Sequence, residues 1–394
     1  NSVPLLVDWE GNGQVGLLLG GVEYGAPYAI NDPANPARKG ILASVKYLQE
    51  NHLPILVHAY IHEFKTVDEE REELELHRQA FLDLGIEWDF VGVNHHTWRI
   101  NENALQTFLV EQEVGISYDF GFHPYKSPGQ PRDGKAFMPF VAPFRLTVGE
   151  KAEPFLLWAP VPEVRTFAPA YRSMQKFDLP ITYFDHVENR LTVGSHQRAL
   201  LTATVEALGR VQREGNYSFM TEEQVAKSLF NHYYCNLEVT FGENGITLEA
   251  DVSQVPEQAA EYKGAIGVHF LPGADLASTN LSTDAWLRYR SQDRNDLYVG
   301  LLGPTQIVWG EEELPAPQLE ILCSNTPINV LANDDDGIEL ELATKGMQQL
   351  VLRSSTPLII EGEGLLIDKA DDVYTITHYG TSCLVKLIQS TDTR

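Results

Sequence analysis

The chain has 394 residues, of which 43% are hydrophobic and 10% aromatic; this predicts two or three domains with packed cores and excludes a disordered chain. Its formal net charge of -26 repels a phosphate backbone, which excludes nucleic acid as the expected partner and favours neutral or amino-sugar polymers over acidic ones. No stretch reaches the roughly 20 apolar residues of a membrane span.

Val3-Pro4-Leu5-Leu6-Val7 is an apolar run that ends in Asp8-Trp9-Glu10 and then Gly11-Asn12-Gly13. Such a run reads as a buried parallel strand stopping at a polar rim, where α/β folds gather their chemistry. Asp8 and Glu10, two residues apart at that rim, suit a base and a metal ligand. A strand-end Asp that merely caps the next turn is the competing reading. A Gly/Pro/Asn-rich loop follows to about Arg38, then a helix over residues 40–50 and a second buried strand at 53–57. The charged run 68–83 carries Leu74, Leu76, Ala80, Phe81 and Leu84 at amphipathic spacing, an arrangement that leaves His77 on the solvated side. Gly85 ends this helix and residues 88–93 form a third strand.

The alternation continues with a helix at 103–112, strands at 115–120 and 155–159, a helix at 171–176, a strand at 179–184 and a helix at 197–213. Repeated βα units predict a parallel sheet. A distorted (β/α) barrel of about seven strands fits the length, and a flat doubly wound sheet is the alternative. No Gly-x-Gly-x-x-Gly follows the first strand, so a dinucleotide site has no support. Beyond Tyr234 the pattern changes. Segments 236–241, 246–250, 319–322, 338–342 and 349–352 alternate apolar and polar residues, separated by turns such as Glu243-Asn244-Gly245, Asp334-Asp335-Asp336-Gly337 and Glu363-Gly364. These predict a C-terminal antiparallel β-sandwich. Residues 1–235 are therefore read as the catalytic (β/α) domain and 236–394 as an accessory sandwich. Ten of the twelve histidines precede residue 233, which concentrates metal and acid–base chemistry in the first domain. Cys235, Cys323 and Cys383 have no metal-type spacing, and an odd count leaves no fully paired disulfide framework.

His58 and His62 lie where the second strand ends. On an extended strand they stand about 13 Å apart and cannot share an ion; a helical turn at Ala59-Tyr60-Ile61 brings both to one face. Asn94-His95-His96-Thr97-Trp98 closes the third strand. Adjacent strand residues face opposite ways, so one of the two histidines reaches a shared site, and His96, which opens the rim loop, is the preferred one. Asp185-His186-Val187-Glu188 ends a later strand and offers a general acid with carboxylates to orient it. His123 and Arg145 fall in loops after strands, and Ser195-His196 lacks the Gly-x-Ser-x-Gly context of a serine esterase.

Taken in order, these pieces resemble the NodB-type polysaccharide deacetylases, metal-dependent carbohydrate esterases on a distorted (β/α) barrel. Leu5-Leu6-Val7-Asp8-Trp9-Glu10 resembles the acid cluster ending that family's first strand. Phe90-Val91-Gly92-Val93-Asn94-His95-His96-Thr97-Trp98 resembles its histidine-bearing strand, and Pro180-Ile181-Thr182-Tyr183-Phe184-Asp185-His186 the strand delivering its catalytic histidine. Gly215-Asn216-Tyr217-Ser218-Phe219-Met220-Thr221 is similar to its Gly-Tyr-x-Phe-x-Thr finish. The chain departs from the family in placing Arg99 and Ile100 where a second histidine belongs, and in carrying a His-x-x-x-His pair one strand earlier.

The resemblance implies deacetylation of an acetylated polysaccharide. It implies a divalent metal, Zn2+, drawing its ligands from Glu10, His58, His62 and His96, with Asp8 as base and His186 as acid. Trp98, His123 and Arg145 are the candidate substrate-binding residues. A retaining glycoside hydrolase pairing Asp8 with Asp119 or Asp185, and a non-catalytic sugar-binding barrel, are the alternatives. The expected partner is a polysaccharide or oligosaccharide, with no nucleic acid and no membrane span. Residence is expected to be extracellular or periplasmic, although Asn1-Ser2-Val3 carries no basic signal region. The sequence leaves the oligomeric state open.

Overall fold

Helical periodicity and short apolar strands alternate through the first part of the chain, and the computed structural model turns that alternation into a sheet with helices on one face. It describes residues 3–4, 30–36, 38–50, 55–59, 66–95, 100–101, 103–121, 143–158, 161–162, 183–184, 199, 202–203, 205–210, 221–260, 265–269, 281–283, 288–290, 296–300, 304–309, 319–324, 326, 328–334, 337–342, 346–380 and 382–389. Two compact units divide the chain: residues 1–215 with 221–226, and 216–220 with 227–394.

In the first unit, helix α1 (Arg38–Glu50) buries Ile41, Val45 and Leu48, spaced one and two turns apart. Helix α2 (Val67–Asp83) opens on Thr66, whose side chain accepts the Glu69 N–H, a cap worth about 1 kcal/mol. Asp68, Glu69 and Glu70 in its first turn complement the helix dipole. Its buried stripe is Glu70, Leu74, His77, Ala80 and Phe81. The expected solvated position of His77 is therefore corrected: it lies a full turn from Leu74 and Phe81 on the buried face, and Leu76 is exposed instead. Helix α3 (Ala104–Glu113) presents Thr107, Phe108, Val110 and Glu111 to the core.

Six strands follow the order β1-β2-β3-β4-β6-β5: β1 (Val3–Pro4), β2 (Ile55–Ala59), β3 (Val91–His95), β4 (Ile116–Asp119), β5 (Phe144–Val148) and β6 (Lys151–Leu157). The β1-β2-β3-β4-β6 pairs are parallel and β5 returns antiparallel on β6. Strand order advances steadily across the parallel part, without the reversal that marks a doubly wound sheet. Closure into a barrel is not seen among the described residues, where β7 (Val161–Pro162) and β8 (Tyr183–Phe184) form a separate parallel pair.

Register assigns the two faces. Val57, Ala59, Val91, Val93, Ile116, Phe155 and Leu157 join Ile41, Val45, Leu74, Phe81, Phe108 and Val114 in one apolar cluster, so this face is the helix side. Each fully buried side chain of this kind contributes roughly 2 kcal/mol by leaving water. The opposite face carries Leu56, His58, Asn94, Tyr118, Leu156 and Trp158, all buried. Tyr118 stacks on Trp158 with ring centroids 5.4 Å apart and planes 7° from parallel. The ring crosses Gly92, where any Cβ would collide with it.

Helix α4 (Glu222–Tyr234) crosses the boundary between the units. Beyond it the described residues form fifteen strands: β9 (Asn236–Phe241), β10 (Gly245–Asp251), β11 (Ala265–His269), β12 (Leu281–Thr283), β13 (Arg288–Arg290), β14 (Asp296–Gly300), β15 (Thr305–Trp309), β16 (Leu319–Ser324), β17 (Ile328–Asp334), β18 (Gly337–Leu342), β19 (Gly346–Ser354), β20 (Leu358–Glu361), β21 (Leu366–Ala370), β22 (Val373–Gly380) and β23 (Cys383–Gln389). Among the described residues these make four antiparallel sheets, with orders β12-β15-β10-β9, β11-β14-β13, β16-β19-β22-β21 and β17-β18-β23-β20. The predicted strands at 236–241, 246–250, 319–322, 338–342 and 349–352 all fall within β9 (Asn236–Phe241), β10 (Gly245–Asp251), β16 (Leu319–Ser324), β18 (Gly337–Leu342) and β19 (Gly346–Ser354). Leu319, Leu350, Leu352 and Ile376 from one four-stranded sheet share a core with Leu340, Leu342, Val385 and Leu387 from another.

Candidate functional site

Of the residues that the sequence singles out, Asp8, Glu10, His62, His96, Trp98, His123 and His186 lie outside the described residues. His58 and Arg145 lie within them. His58 sits inside β2, whose end falls at Ala59 rather than at Val57. It registers with Asn94 on the neighbouring parallel strand, and its Nδ1 lies 3.0 Å from Asn94 Oδ1. A carbonyl oxygen only accepts, so Nδ1–H donates; in the neutral imidazole this tautomer leaves the lone pair on Nε2. Histidines that bind metal or move protons are oriented in this way by their second nitrogen. The residue is 4% exposed.

Asn94 is itself tightly held. Its Nδ2 is buried with no hydrogen-bond partner among the described residues, and Gly121 packs so closely that any Cβ there would collide with the Asn94 side chain. On the same face the Tyr118 hydroxyl is buried without a partner among the described residues. Burial pushes this phenol well above its ordinary range, and the Glu223 and Glu222 carboxylates push it further. Arg145 belongs to β5 rather than to a loop, a correction to its expected setting. It registers with Leu156 and so shares the face of His58, exposed at the sheet edge. Four strand spacings, about 19 Å in a flat sheet, separate it from β2.

His95 neighbours Asn94 and therefore faces the helices. Its Nε2 lies 2.7 Å from Glu111 Oε1 of α3 and 3.3 Å from Asp119 Oδ2 of β4; the second is an ion-pair distance without hydrogen-bond alignment. Asp119 Oδ1 accepts the Gly121 N–H at 2.8 Å. All three side chains are 0–1% exposed. Burial alone lowers the imidazole pKa, but the Asp119 and Glu111 carboxylates outweigh it and raise His95 to about 10. Burial and the Asp119 carboxylate likewise raise Glu111 to about 8, against the opposing pull of His95. Both shifts run toward holding protons, because two buried carboxylates face one imidazole. Nearby, Glu70 accepts from Thr107 Oγ1 and from Gln106 Nε2 at 2.9 Å. His77 donates to the Glu73 carbonyl at 2.7 Å, and its pKa falls to about 4 through burial, with a smaller contribution from His95.

Glu111 carries no motif, and only its place in the stripe Thr107-Phe108-Glu111-Val114 marks it as inward-facing. Asp119, one of the carboxylates available to a glycosidase, is committed to the helix side by the Gly121 N–H that it accepts and by its 3.3 Å approach to His95. His95, Glu111 and Asp119 bring ligand atoms within 4.8 Å of one another, a set that could hold a metal ion. No family model, no curated protein and no solved structure matches the chain.

Proposed function

We propose that the chain is a metal-dependent hydrolase that deacetylates an acetylated polysaccharide or amino-sugar polymer. In this reading residues 1–235 complete a (β/α) barrel of about seven strands and residues 236–394 form an accessory β-sandwich. The observation that carries it is the His58–Asn94 pair. It presents an oriented imidazole near the carboxyl end of a parallel strand, on the face away from the helices, where such architectures place their chemistry.

A neutral imidazole with its Nδ1–H engaged fits a zinc ligand. Glu10, His62 and His96 are the proposed companions of His58 in the set. A divalent ion held there by these residues would supply Lewis-acid charge toward the acetyl carbonyl and the attacking water. Asp8 takes the water proton as general base, and His186 returns one to the departing amine or alkoxide. Trp98 and His123 contact the sugar. Arg145, exposed and about four strand spacings away, meets a different part of a long polymer. An extracellular or periplasmic setting would supply such a substrate.

The test is acetate release from partially acetylated chitosan and from acetylated xylan, with and without Zn2+. His58→Ala is expected to lower zinc affinity at least about tenfold, as loss of a direct ligand should, and to abolish acetate release. Release of reducing sugar ends without acetate would instead favour a glycoside hydrolase, and neither product a sugar-binding protein.

A further inference from the structure

We propose that His95, Glu111 and Asp119 form a second divalent-metal site, structural rather than catalytic, that pins α3 to strands β3 and β4 on the helix side of the sheet. It stands independently of the deacetylase reading, because it uses other residues on the opposite face.

The donor set is one imidazole nitrogen and two carboxylates, a combination that zinc accepts. The nitrogen that faces Glu111 also faces Asp119, so three donors converge on one point instead of pairing off. Among the described residues, neither Glu111 Oε2 nor Asp119 Oδ2, both buried, has a hydrogen-bond partner. Buried carboxylate oxygens in an apolar layer are costly unless something satisfies them, and that layer contains Val93, Phe108, Val114 and Leu157. A divalent ion with two carboxylates and a neutral imidazole keeps the cluster electrically neutral, and it engages the oxygen of each carboxylate that otherwise stays unbonded.

The geometry is close to what an ion needs. Tetrahedral bonds of about 2.0–2.1 Å place ligand atoms about 3.3 Å apart. His95 Nε2 and Asp119 Oδ2 already stand 3.3 Å apart. His95 Nε2 and Glu111 Oε1, at 2.7 Å, need open by only about 0.6 Å to reach the same spacing. Glu111 Oε2 is available as a fourth donor. Among the described residues His95 Nδ1 has no hydrogen-bond partner, so none of them supplies the orienting bond that supports tight sites. Affinity is therefore expected to lie about 10–100-fold below that of a fully supported site. At 0–1% exposure the ion enters and leaves only when α3 lifts from the sheet. Slow exchange should thus distinguish it from a catalytic ion.

The experiment refolds the full-length chain with a small excess of Zn2+, removes loose metal with a brief chelator wash, and counts zinc per chain by elemental analysis. Wild type, His58→Ala and Glu111→Gln are compared, with Co2+ replacing zinc in a parallel series for its visible absorption. The expected result is one slowly exchanging ion that His58→Ala keeps and Glu111→Gln loses. Glu111→Gln should hold at least tenfold less tightly. If Glu111→Gln does not fold, the Co2+ spectrum of His58→Ala decides: a four-coordinate nitrogen–oxygen band supports the site and its absence overturns it. Loss of all slowly exchanging metal in His58→Ala overturns this proposal and leaves the catalytic one standing. Retention of a single ion by wild type and His58→Ala alike, with no faster second ion, does the reverse.

Discussion

Glu111→Ala, studied in chelator so that no ion contributes, tests whether the buried cluster holds α3 to the sheet. The carboxylate is 0% exposed and its partner His95 1%, at 2.7 Å. Removing one partner of a buried His–carboxylate pair leaves the other uncompensated, which costs about 3–5 kcal/mol where both are charged. Here Asp119 remains 3.3 Å from the imidazole, so part of the charge stays balanced and the expected loss is about 3 kcal/mol. Urea unfolding of the intact chain at pH 7 measures it, followed by tryptophan fluorescence. Trp9, Trp88, Trp98 and Trp158, four of the six tryptophans, fall in residues 1–215. Trp88 is well placed as a reporter, since its Nε1–H donates to the Val114 carbonyl just after α3 at 2.9 Å. A double-mutant cycle with His95→Ala should give a coupling on the order of 2 kcal/mol. A loss under about 1 kcal/mol with additive single effects would show that the cluster carries no such energy.

His77 has an ordinary pKa of about 6.5 when unfolded and about 4 in the native helix, so the unfolded chain binds the extra proton between those values. Its contribution is complete above about pH 6.5 and declines by about 3 kcal/mol as pH falls to 4. Subtracting the pH profile of His77→Leu from that of the wild type should isolate this slope, and parallel profiles would contradict it. Gly121→Ala should destabilise the chain by about 1–3 kcal/mol, because its methyl group must displace Asn94; an unchanged urea midpoint would contradict the close approach. Asn94→Ala should weaken zinc at the His58 site by about 10–100-fold without removing the slowly exchanging ion, as isothermal titration and metal counting would show.

Periodicity carried much of the first unit's layout. Stripes such as Ile41-Val45-Leu48 and Leu74-Phe81 are visible as apolar residues at helical spacing, and the turn Glu243-Asn244-Gly245 marks a hairpin by its composition. What stayed hidden follows from the same logic. A hydrophobicity pattern assigns titratable residues to solvent, so Glu70, His77 and Glu111 were invisible as core residues although they occupy stripe positions. Their burial depends on partners from other elements, and no local pattern records those. Strand β5 is short and, among the described residues, pairs with β6 alone, through the hairpin at Gly149, whose φ of 62° favours glycine. Helix α4 had a readable start: Thr221 and Gln224 exchange side-chain-to-backbone bonds at 3.2 and 2.9 Å, the reciprocal box that Thr-x-x-Gln encodes. His58 was placed just past its strand rather than in it, since strand ends shift by a residue or two with tertiary pairing. Its partnership with Asn94 depends on parallel register, which spacing along the chain does not reveal.

The deacetylase reading is tested most directly by acetate release from partially acetylated chitosan by zinc-loaded protein, compared with Asp8→Asn loaded identically. The expected result is zinc-dependent release that falls at least about a hundredfold in Asp8→Asn, the usual worth of a general base, while bound zinc is unchanged. Acetate release that is equal in the two proteins, or absent from the zinc-loaded wild type on chitosan and acetylated xylan alike, would contradict it.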